Sequence, residues 1–154
     1  MTETIRTRAE RIRDCRAALE TSIDIWVATA TAGEDGAVRP YLVPLSLAWL
    51  DERVVVATPV NSRTAAGLPV GGTARLAVGP TRDVVMIDAV VERTVLVRDD
   101  AELAERYAAR SDWDPREDAD NYLYVVLRPE RIQAWREANE LTGRTLMRDG
   151  RWLS

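Results

Sequence analysis

Short stretches in which hydrophobic and polar residues alternate, each closed by a turn signal, constrain this chain most. Turn residues stand at Gly33-Glu34-Asp35-Gly36 and at Asp51-Glu52, and Asp149-Gly150 is the favoured two-residue hairpin turn. The pattern predicts strands over residues 25–31, 38–50, 54–58, 74–78, 84–97, 122–127 and 132–135, and a final hairpin over 144–153. Many short strands with few helices are typical of a β-barrel or a β-sandwich.

The N-terminal residues, within 1–22, follow a helical pattern instead. Over residues 4–21 the spacing places a few apolar side chains on one face, and a charge interrupts that stripe at Arg16. The face consists of Ile5, Ala9, Ile12 and Leu19. A stripe this shallow predicts a helix that lies on the surface of the barrel.

Two further helices are predicted. Residues 63–68 follow the Asn61-Ser62 start signal, and residues 101–110 follow Asp99-Asp100, which supplies a helix cap. No linker, repeat or low-complexity segment divides the chain. We therefore expect residues 1–154 to form a single domain, mainly β with peripheral α-helices.

The chain lacks two residue types that carry much enzyme chemistry. It has no His and no Lys, so all 21 basic residues are Arg. A Schiff base with pyridoxal phosphate, a lysine-bearing phosphate loop and a Ser-His-Asp triad are therefore excluded. The lone Cys15 leaves no ordinary zinc site, and we expect it to be a small packing residue rather than a nucleophile. Any enzymatic reaction would then depend on a bound cofactor, and no metal site is predicted.

Charge and hydropathy limit the classes of partner that the chain is expected to bind. The net charge is −4 and both signs are interspersed, whereas a nucleic-acid-binding surface needs a clustered basic face. No apolar run is long enough to span a bilayer, and the first twenty residues do not resemble a signal peptide. These features predict a cytoplasmic protein that binds neither nucleic acid nor membrane.

The segment Val43-Pro44-Leu45-Ser46 is unusual for the middle of a strand. Proline cannot donate to a ladder, so Pro44 belongs at an edge, at a bulge or where another group meets the backbone. A plain edge strand is the simpler interpretation. The alternative is a backbone ledge against which a flat ring lies, with unpaired backbone groups as hydrogen-bond partners.

The segment Thr58-Pro59-Val60-Asn61-Ser62-Arg63-Thr64 joins a predicted strand to a predicted helix. The first amides of a helix attract anions, and Arg63 can add a two-pronged contact to a phosphate, with Ser62 and Thr64 hydroxyls beside it. The simpler alternative is that Ser62 caps the helix and Arg63 is solvated.

The tryptophans are predicted mainly as core residues. Trp26 and Trp49 fall in strand patterns, and Trp135 and Trp152 lie towards the end of the chain. For Trp135 and Trp152 the alternatives are a subunit interface or a cover over a cofactor.

The order of these features resembles the pyridoxamine 5′-phosphate oxidase-like FMN-binding split β-barrel family. The matching features are a helix, a three-strand meander with L-V-P-L-S, the segment A-T-P-V-N-S-R-T-A at the next strand-to-helix join, the A-R-L strand and the ending R-T-L-M-R-D-G-R-W-L. The chain is most similar to small bacterial members described as flavin- or deazaflavin-dependent oxidoreductases. The resemblance covers the chain from Asp24 onward, and the order of the motifs carries it.

The resemblance implies a six- to eight-stranded antiparallel split β-barrel that forms a homodimer with cofactors at the subunit interface. The ring would lie against the backbone of Leu42, Val43, Pro44 and Leu45. The phosphate would be held by Thr58, Ser62, Arg63 and Thr64. Trp135, with Arg144 as a weaker match, would approach from the partner subunit. FMN is the cofactor expected, with the deazaflavin analogue as the alternative.

Two departures from the family argue against true pyridoxamine 5′-phosphate oxidase activity. Those enzymes carry a Lys where this chain has Thr64, and their substrate-binding C-terminal segment with its His is absent. The haem-binding relatives use His ligands and are disfavoured for the same reason. We expect an oxidoreductase that acts on an unidentified small molecule. The alternative is a protein that stores or senses flavin without turnover, since no acid-base side chain is evident near the predicted ring and no catalytic residue is assigned.

Overall fold

The computed structural model describes residues 4–154 and is mainly β. Eight strands form one antiparallel sheet: β1 Asp24–Ala32, β2 Val38–Leu50, β3 Arg53–Pro59, β4 Thr73–Val78, β5 Val84–Leu96, β6 Tyr122–Trp135, β7 Thr145–Arg148 and β8 Arg151–Trp152. Three α-helices accompany them: α1 Arg8–Thr21, α2 Arg63–Ala66 and α3 Ala101–Arg110.

Six of the strands close into a barrel. The order is β3-β2-β1-β4-β5-β6, and β3 also pairs with β6, which completes the ring. The last two strands extend the sheet outward from β6 as the predicted hairpin around Asp149 and Gly150, both of which have positive φ. The expected antiparallel barrel of six to eight strands with flanking helices is therefore confirmed.

One predicted pair of strands is a single strand. Residues 122–127 and 132–135 belong to the continuous β6, which pairs with β3, β5 and β7. The register with β5 shifts between Asp88 and Ala89, where Asp88 faces Arg131 and Ala89 faces Pro129. A bulge thus absorbs the residue between them, and the polar break in the sequence pattern marks this bulge and not the end of a strand.

The N-terminal helix begins later than predicted, and only Ile12 and Leu19 of its predicted face pack against the core. Thr7 caps it, in a capping box with Glu10, so the helix starts at Arg8. Ile5 precedes the helix and is exposed, whereas Arg11, Cys15 and Leu19 are buried. Burial raises the pKa of the Cys15 thiol to about 12, which confirms that Cys15 is a packing residue.

Two apolar cores stabilise the fold. The first fills the barrel and includes Val27, Leu47, Val56 and the predicted core residue Trp49. The second lies between α3 and the outer face of the sheet. It contains Leu50, Val55, Val97, Leu103, Tyr107, Tyr124 and Val126. As predicted, an Asp (Asp100) caps α3, by accepting from the Leu103 N–H.

The prediction that Trp26 is a core residue is wrong. Ile25 and Val27 face the barrel interior, so the alternation of the strand turns Trp26 outward, and it is 48% exposed. Among residues 4–154, no helix is long and apolar enough to span a membrane.

Candidate functional site

The barrel wall divides where β2 leaves β3. The two strands pair from Leu50 opposite Arg53 to Leu47 opposite Val56, and no further. Beyond that point β2 stays paired with β1 down to Val38, and β3 stays paired with β6 up to Pro59. The diverging strands form a fork, defined here by β2 residues 38–46 on one side and β3 residues 57–59 on the other.

The edge of β2 that lines the fork carries few donors. The Leu47 N–H donates to the Ile23 carbonyl at 2.8 Å, towards β1, so alternation points the backbone groups of Ser46, Pro44, Leu42 and Pro40 away from β1. Both prolines therefore stand where an N–H would project into the fork. Leu42 supplies the one backbone N–H of residues 40–45 on this edge, next to its own carbonyl and that of Pro44. This backbone ledge suits a planar ring that has both donors and acceptors.

Two hydroxyls meet on the other side of the fork. Thr58, at the end of β3, and Ser62 lie with their oxygens 2.8 Å apart, and Ser62 also caps α2 by accepting from the Ala65 N–H at 3.0 Å. The pair has two hydroxyl protons and uses one in its mutual bond, so one remains as a donor. Thr58 and Thr64 are both buried, at 2% and 4% exposure, whereas Ser62 is half-buried.

Arg63 lies over the β2 side of the fork. Its guanidinium carbon is 4.6 Å from the centre of the Tyr41 ring, the geometry of a cation–π contact. Arg63 forms no ion pair with any carboxylate of residues 4–154, although the chain carries a net negative charge. The structure therefore places Arg63, which was predicted to bind a phosphate, against Tyr41, the neighbour of Leu42. The charge of Arg63 has no carboxylate counterion among residues 4–154.

Close packing places α2 at this position. A Cβ at Gly67, which ends α2, would lie 2.8 Å from the Thr29 side chain, so the helix end rests directly on β1. Thr29 is paired across the ladder with Tyr41. The same small contact area thus sets the height of α2 over β1 and brings Arg63 above the neighbouring strand.

Trp135 and Arg144 lie elsewhere in the same copy of the chain. Arg144 stacks over the Trp135 ring at 5.1 Å, and Trp135 faces Val84 at the end of β6. The opposite end of β6 faces Pro59, beside α2. At about 3.3 Å per residue, the fourteen-residue strand separates the two ends by roughly 40 Å of backbone. Among residues 4–154, no ring contact joins Trp135 to a residue of the fork.

An apolar face covers the outside of the sheet next to the fork. Pro44, Trp26, Ala77 and Met86 face one another in a row across β2, β1, β4 and β5. Trp26 and Leu42 are 48% and 58% exposed. A cavity of about 460 Å³ opens on this face. Its lining residues are Trp26, Ala28, Leu42, Arg75, Leu76, Ala77, Gly79, Thr81, Val84 and Met86.

Two residues of this region were missed from the sequence. Tyr41 beneath Arg63 required the strand register, and Tyr107 required the docking of α3. The Tyr107 hydroxyl donates to the Ser46 carbonyl at 3.0 Å, at the closed end of the fork. Only the tyrosine at position 41, two residues before Val43 in a strand predicted to contact a ring, offered a signal.

Comparisons with known proteins identify the fold. No protein-family model matches the sequence, and no curated protein matches it. Solved structures do match. An F420 reductase aligns with a TM-score of 0.57 and 20% identity over 76% of this chain and 94% of its own. A protein from Clostridium acetobutylicum, related to general stress protein 26 and assigned to the pyridoxinephosphate oxidase family, gives 0.59 and 15% over 86% and 92%.

A third structure extends over more of this chain. The haem binding protein from Mycobacterium smegmatis aligns with a TM-score of 0.64 and 20% identity over 96% of this chain, which spans 60% of that protein's length. Sequence identities this low show a shared architecture but not a shared activity. The resemblance noted in the sequence and the closed, forked barrel agree with these neighbours: the chain has the split β-barrel fold of the pyridoxamine 5′-phosphate oxidase-like proteins.

Proposed function

We propose that this chain binds a flavin-type cofactor, FMN or its deazaflavin analogue, and works as an oxidoreductase. The observation that carries the proposal is the fork, where an uncompensated Arg63 and a hydroxyl pair lie beside a strand edge with unpaired backbone groups. A phosphorylated ring cofactor needs both features at once. When bound, the ring supplies hydride or electron transfer.

Each side of the fork has a separate role in this proposal. Arg63 provides a planar, permanently charged guanidinium that suits a phosphate, and the half-buried Ser62 hydroxyl, bonded to the buried Thr58, adds a donor. The Leu42 N–H and the Leu42 and Pro44 carbonyls hold the polar edge of the ring.

A haem is the less suitable occupant, although one structural neighbour is named for it. The chain contains no His, and its one Cys is buried with a raised pKa. The two side chains that most often bind haem iron are thus absent or enclosed. The mass and absorption spectrum of the ligand that heat releases from the purified protein distinguish FMN, deazaflavin and haem directly.

The decisive test removes the charge of Arg63. We expect Arg63→Ala to weaken FMN binding by about ten- to a hundredfold, since a charge-assisted hydrogen bond is worth on the order of 1.5–3 kcal/mol. Riboflavin, which lacks the phosphate, should bind almost as tightly as to the wild type. Titration of each ligand, followed by flavin fluorescence, measures both affinities.

Two variants make the result specific. Arg63→Lys should recover part of the loss, because the point charge of an ammonium replaces a planar guanidinium. Arg98→Ala removes the same charge from an arginine that pairs with Asp99 and Asp120, and should leave FMN affinity unchanged. Unchanged FMN affinity in Arg63→Ala would contradict the assignment.

The second part of the proposal is a homodimer built on the apolar face. Trp26 and Leu42 are more exposed than large hydrophobic side chains usually are, and they lie together beside the fork. Trp135 and Arg144 of one copy would then complete the site of the other. We expect light scattering to give about twice the 17.2 kDa chain mass.

Substitutions on and off this face test the interface. Trp26→Glu should return the mass to 17.2 kDa, because a charge would be buried between copies. Val70→Glu changes another exposed hydrophobic residue, in the α2–β4 connection, and should leave the dimer intact. A wild-type mass of one chain at micromolar concentration would rule out the composite site.

A further inference from the structure

The pairing between β2 and β3 ends at Leu47 and Val56, although both strands are long enough for another pair. Leu47 faces Val56, so the next antiparallel pair would be Ser46 opposite Ala57. The Ser46 backbone groups point towards β3, since Leu47 beside them bonds to Ile23 on the other side. Both strands continue past this point in extended form. A specific group must therefore keep them apart.

The Tyr107 hydroxyl occupies that place. It donates to the Ser46 carbonyl at 3.0 Å, and the Ala57 backbone lies close enough to the same hydroxyl to lower its pKa. The phenol thus stands between the two groups that would otherwise pair with each other. Tyr107 is fully buried, and its ring packs against Tyr124 of β6 with centroids 5.1 Å apart. Tyr124 is itself paired with Ala57 across the β3–β6 ladder.

A second contact also binds Ser46 to the region of α3. Its side chain donates to the Asp112 carboxylate at 2.8 Å, just beyond the end of α3. Backbone and side chain of Ser46 are therefore both bound to α3 and the residues after it, rather than to β3. The N-terminal half of β2 stays unpaired on its fork side as a result.

We infer that Tyr107 is a positioning residue: its hydroxyl, inserted in the β2–β3 ladder at Ser46 and Ala57, holds the fork open and keeps the Leu42–Pro44 edge available to a ring. The effect on the strands stands on the structure alone. The effect on ligand binding rests on the proposed flavin site.

Tyr107→Phe tests the inference, with Tyr124→Phe as a matched control. Both rings are buried side by side, but the Tyr124 hydroxyl has no hydrogen-bond partner among residues 4–154. In Tyr107→Phe we expect the Ala57 amide to exchange with solvent at least about tenfold faster, because the hydroxyl beside it is lost, while the Val55 amide inside the ladder is unchanged. Tyr124→Phe should change neither amide.

Ligand binding gives the second measurement. Tyr107→Phe should weaken FMN and riboflavin equally, by about three- to tenfold, because the ring edge is disturbed and the phosphate contact is not. Unchanged Ala57 exchange, equal changes in both tyrosine variants, or a Tyr107→Phe chain that no longer folds while Tyr124→Phe does would overturn the inference. If the wild type binds neither flavin but Ala57 exchange rises only in Tyr107→Phe, the role of Tyr107 in holding β2 and β3 apart is upheld. The proposed function is then contradicted.

Discussion

Two regions of the molecule use arginine in opposite ways. Where α1 meets the β6–β7 loop, Arg6 bonds to Glu140 at 2.7 Å with both side chains almost fully buried, and it also pairs with Asp14. Nearby, the buried Arg11 donates to the carbonyls of Glu140 and Thr142. At the fork, Arg63 rests on an aromatic ring and has no carboxylate.

The contrast separates structural cations from available ones. Most arginines of this chain have a carboxylate within ion-pair distance, as Arg53, Arg75 and Arg116 do. A cation that stays uncompensated in a chain of net charge −4 is held without its usual partner. Attraction to an incoming anion is then not offset by the loss of an existing pair. Arg144, stacked on Trp135, shares this condition and lies in the second predicted part of the site.

The largest expected effect lies in the paired region. Glu140→Gln removes the nearest carboxylate of the buried Arg6, which keeps Asp14 at 3.1 Å, and should lower the free energy of unfolding by about 3 kcal/mol. Glu137→Gln, whose partner Arg82 is mostly exposed, should cost less than about 1 kcal/mol. Urea denaturation measures both. Similar losses in the two variants would remove the distinction between the regions.

Lowering the pH should also reveal how much the Arg6–Glu140 pair contributes to stability. The hydrogen bond from Arg6 lowers the pKa of Glu140 from 4.5 to about 2. A carboxyl with a depressed folded-state pKa contributes stability that is complete above its unfolded pKa and disappears as the pH falls through the folded one. The contribution is about 3 kcal/mol and is lost between about pH 4.5 and pH 2.

Other carboxylates with lowered pKa values also titrate in this range, so the measurement is a difference. The gap in urea midpoint between the wild type and Glu140→Gln should be wide at pH 6 and should narrow towards pH 2. A gap that stays constant with pH would mean that Glu140 acts through packing and not through its charge.

The smallest expected effect concerns how the free cation is held. Tyr41→Leu removes the ring under Arg63 and should weaken FMN binding by about two- to fivefold, since a cation–π contact of this kind is worth about 0.5–1 kcal/mol. Tyr41→Phe keeps the ring and should bind normally. In an Arg63→Ala background Tyr41→Leu should have no further effect on FMN, and riboflavin binding should not respond in any of these variants. A loss for both flavins would indicate a role of Tyr41 at the ring instead.

The elements with strong local signals were predictable from the sequence. Turn residues such as Asp149-Gly150 and the alternation of residues 38–50 are local properties, and both agree with the structure. The errors arose where a distant contact decides. Arg11 is buried because carbonyls of the β6–β7 loop accept from it, and the outward orientation of Trp26 follows from which neighbours fill the barrel.

The site divides in the same way. Thr58, Ser62 and Arg63 lie within a few residues of one another, so a motif was enough to group them. Tyr41 joins them only through the packing of α2 on Thr29, and Tyr107 reaches Ser46 across 61 residues of sequence. No periodicity or spacing in a single sequence carries such pairings.

The two prolines at the fork also bear on how the protein behaves at high concentration. An unpaired strand edge is a template on which a strand from another molecule can add, and such addition leads to aggregation. Adding a strand requires donors at regular intervals, and Pro40 and Pro44 interrupt the series on both sides of Leu42. A small molecule needs only the one donor and the adjacent carbonyls. The edge can thus remain open to a ligand while it resists the growth of a continuous intermolecular sheet.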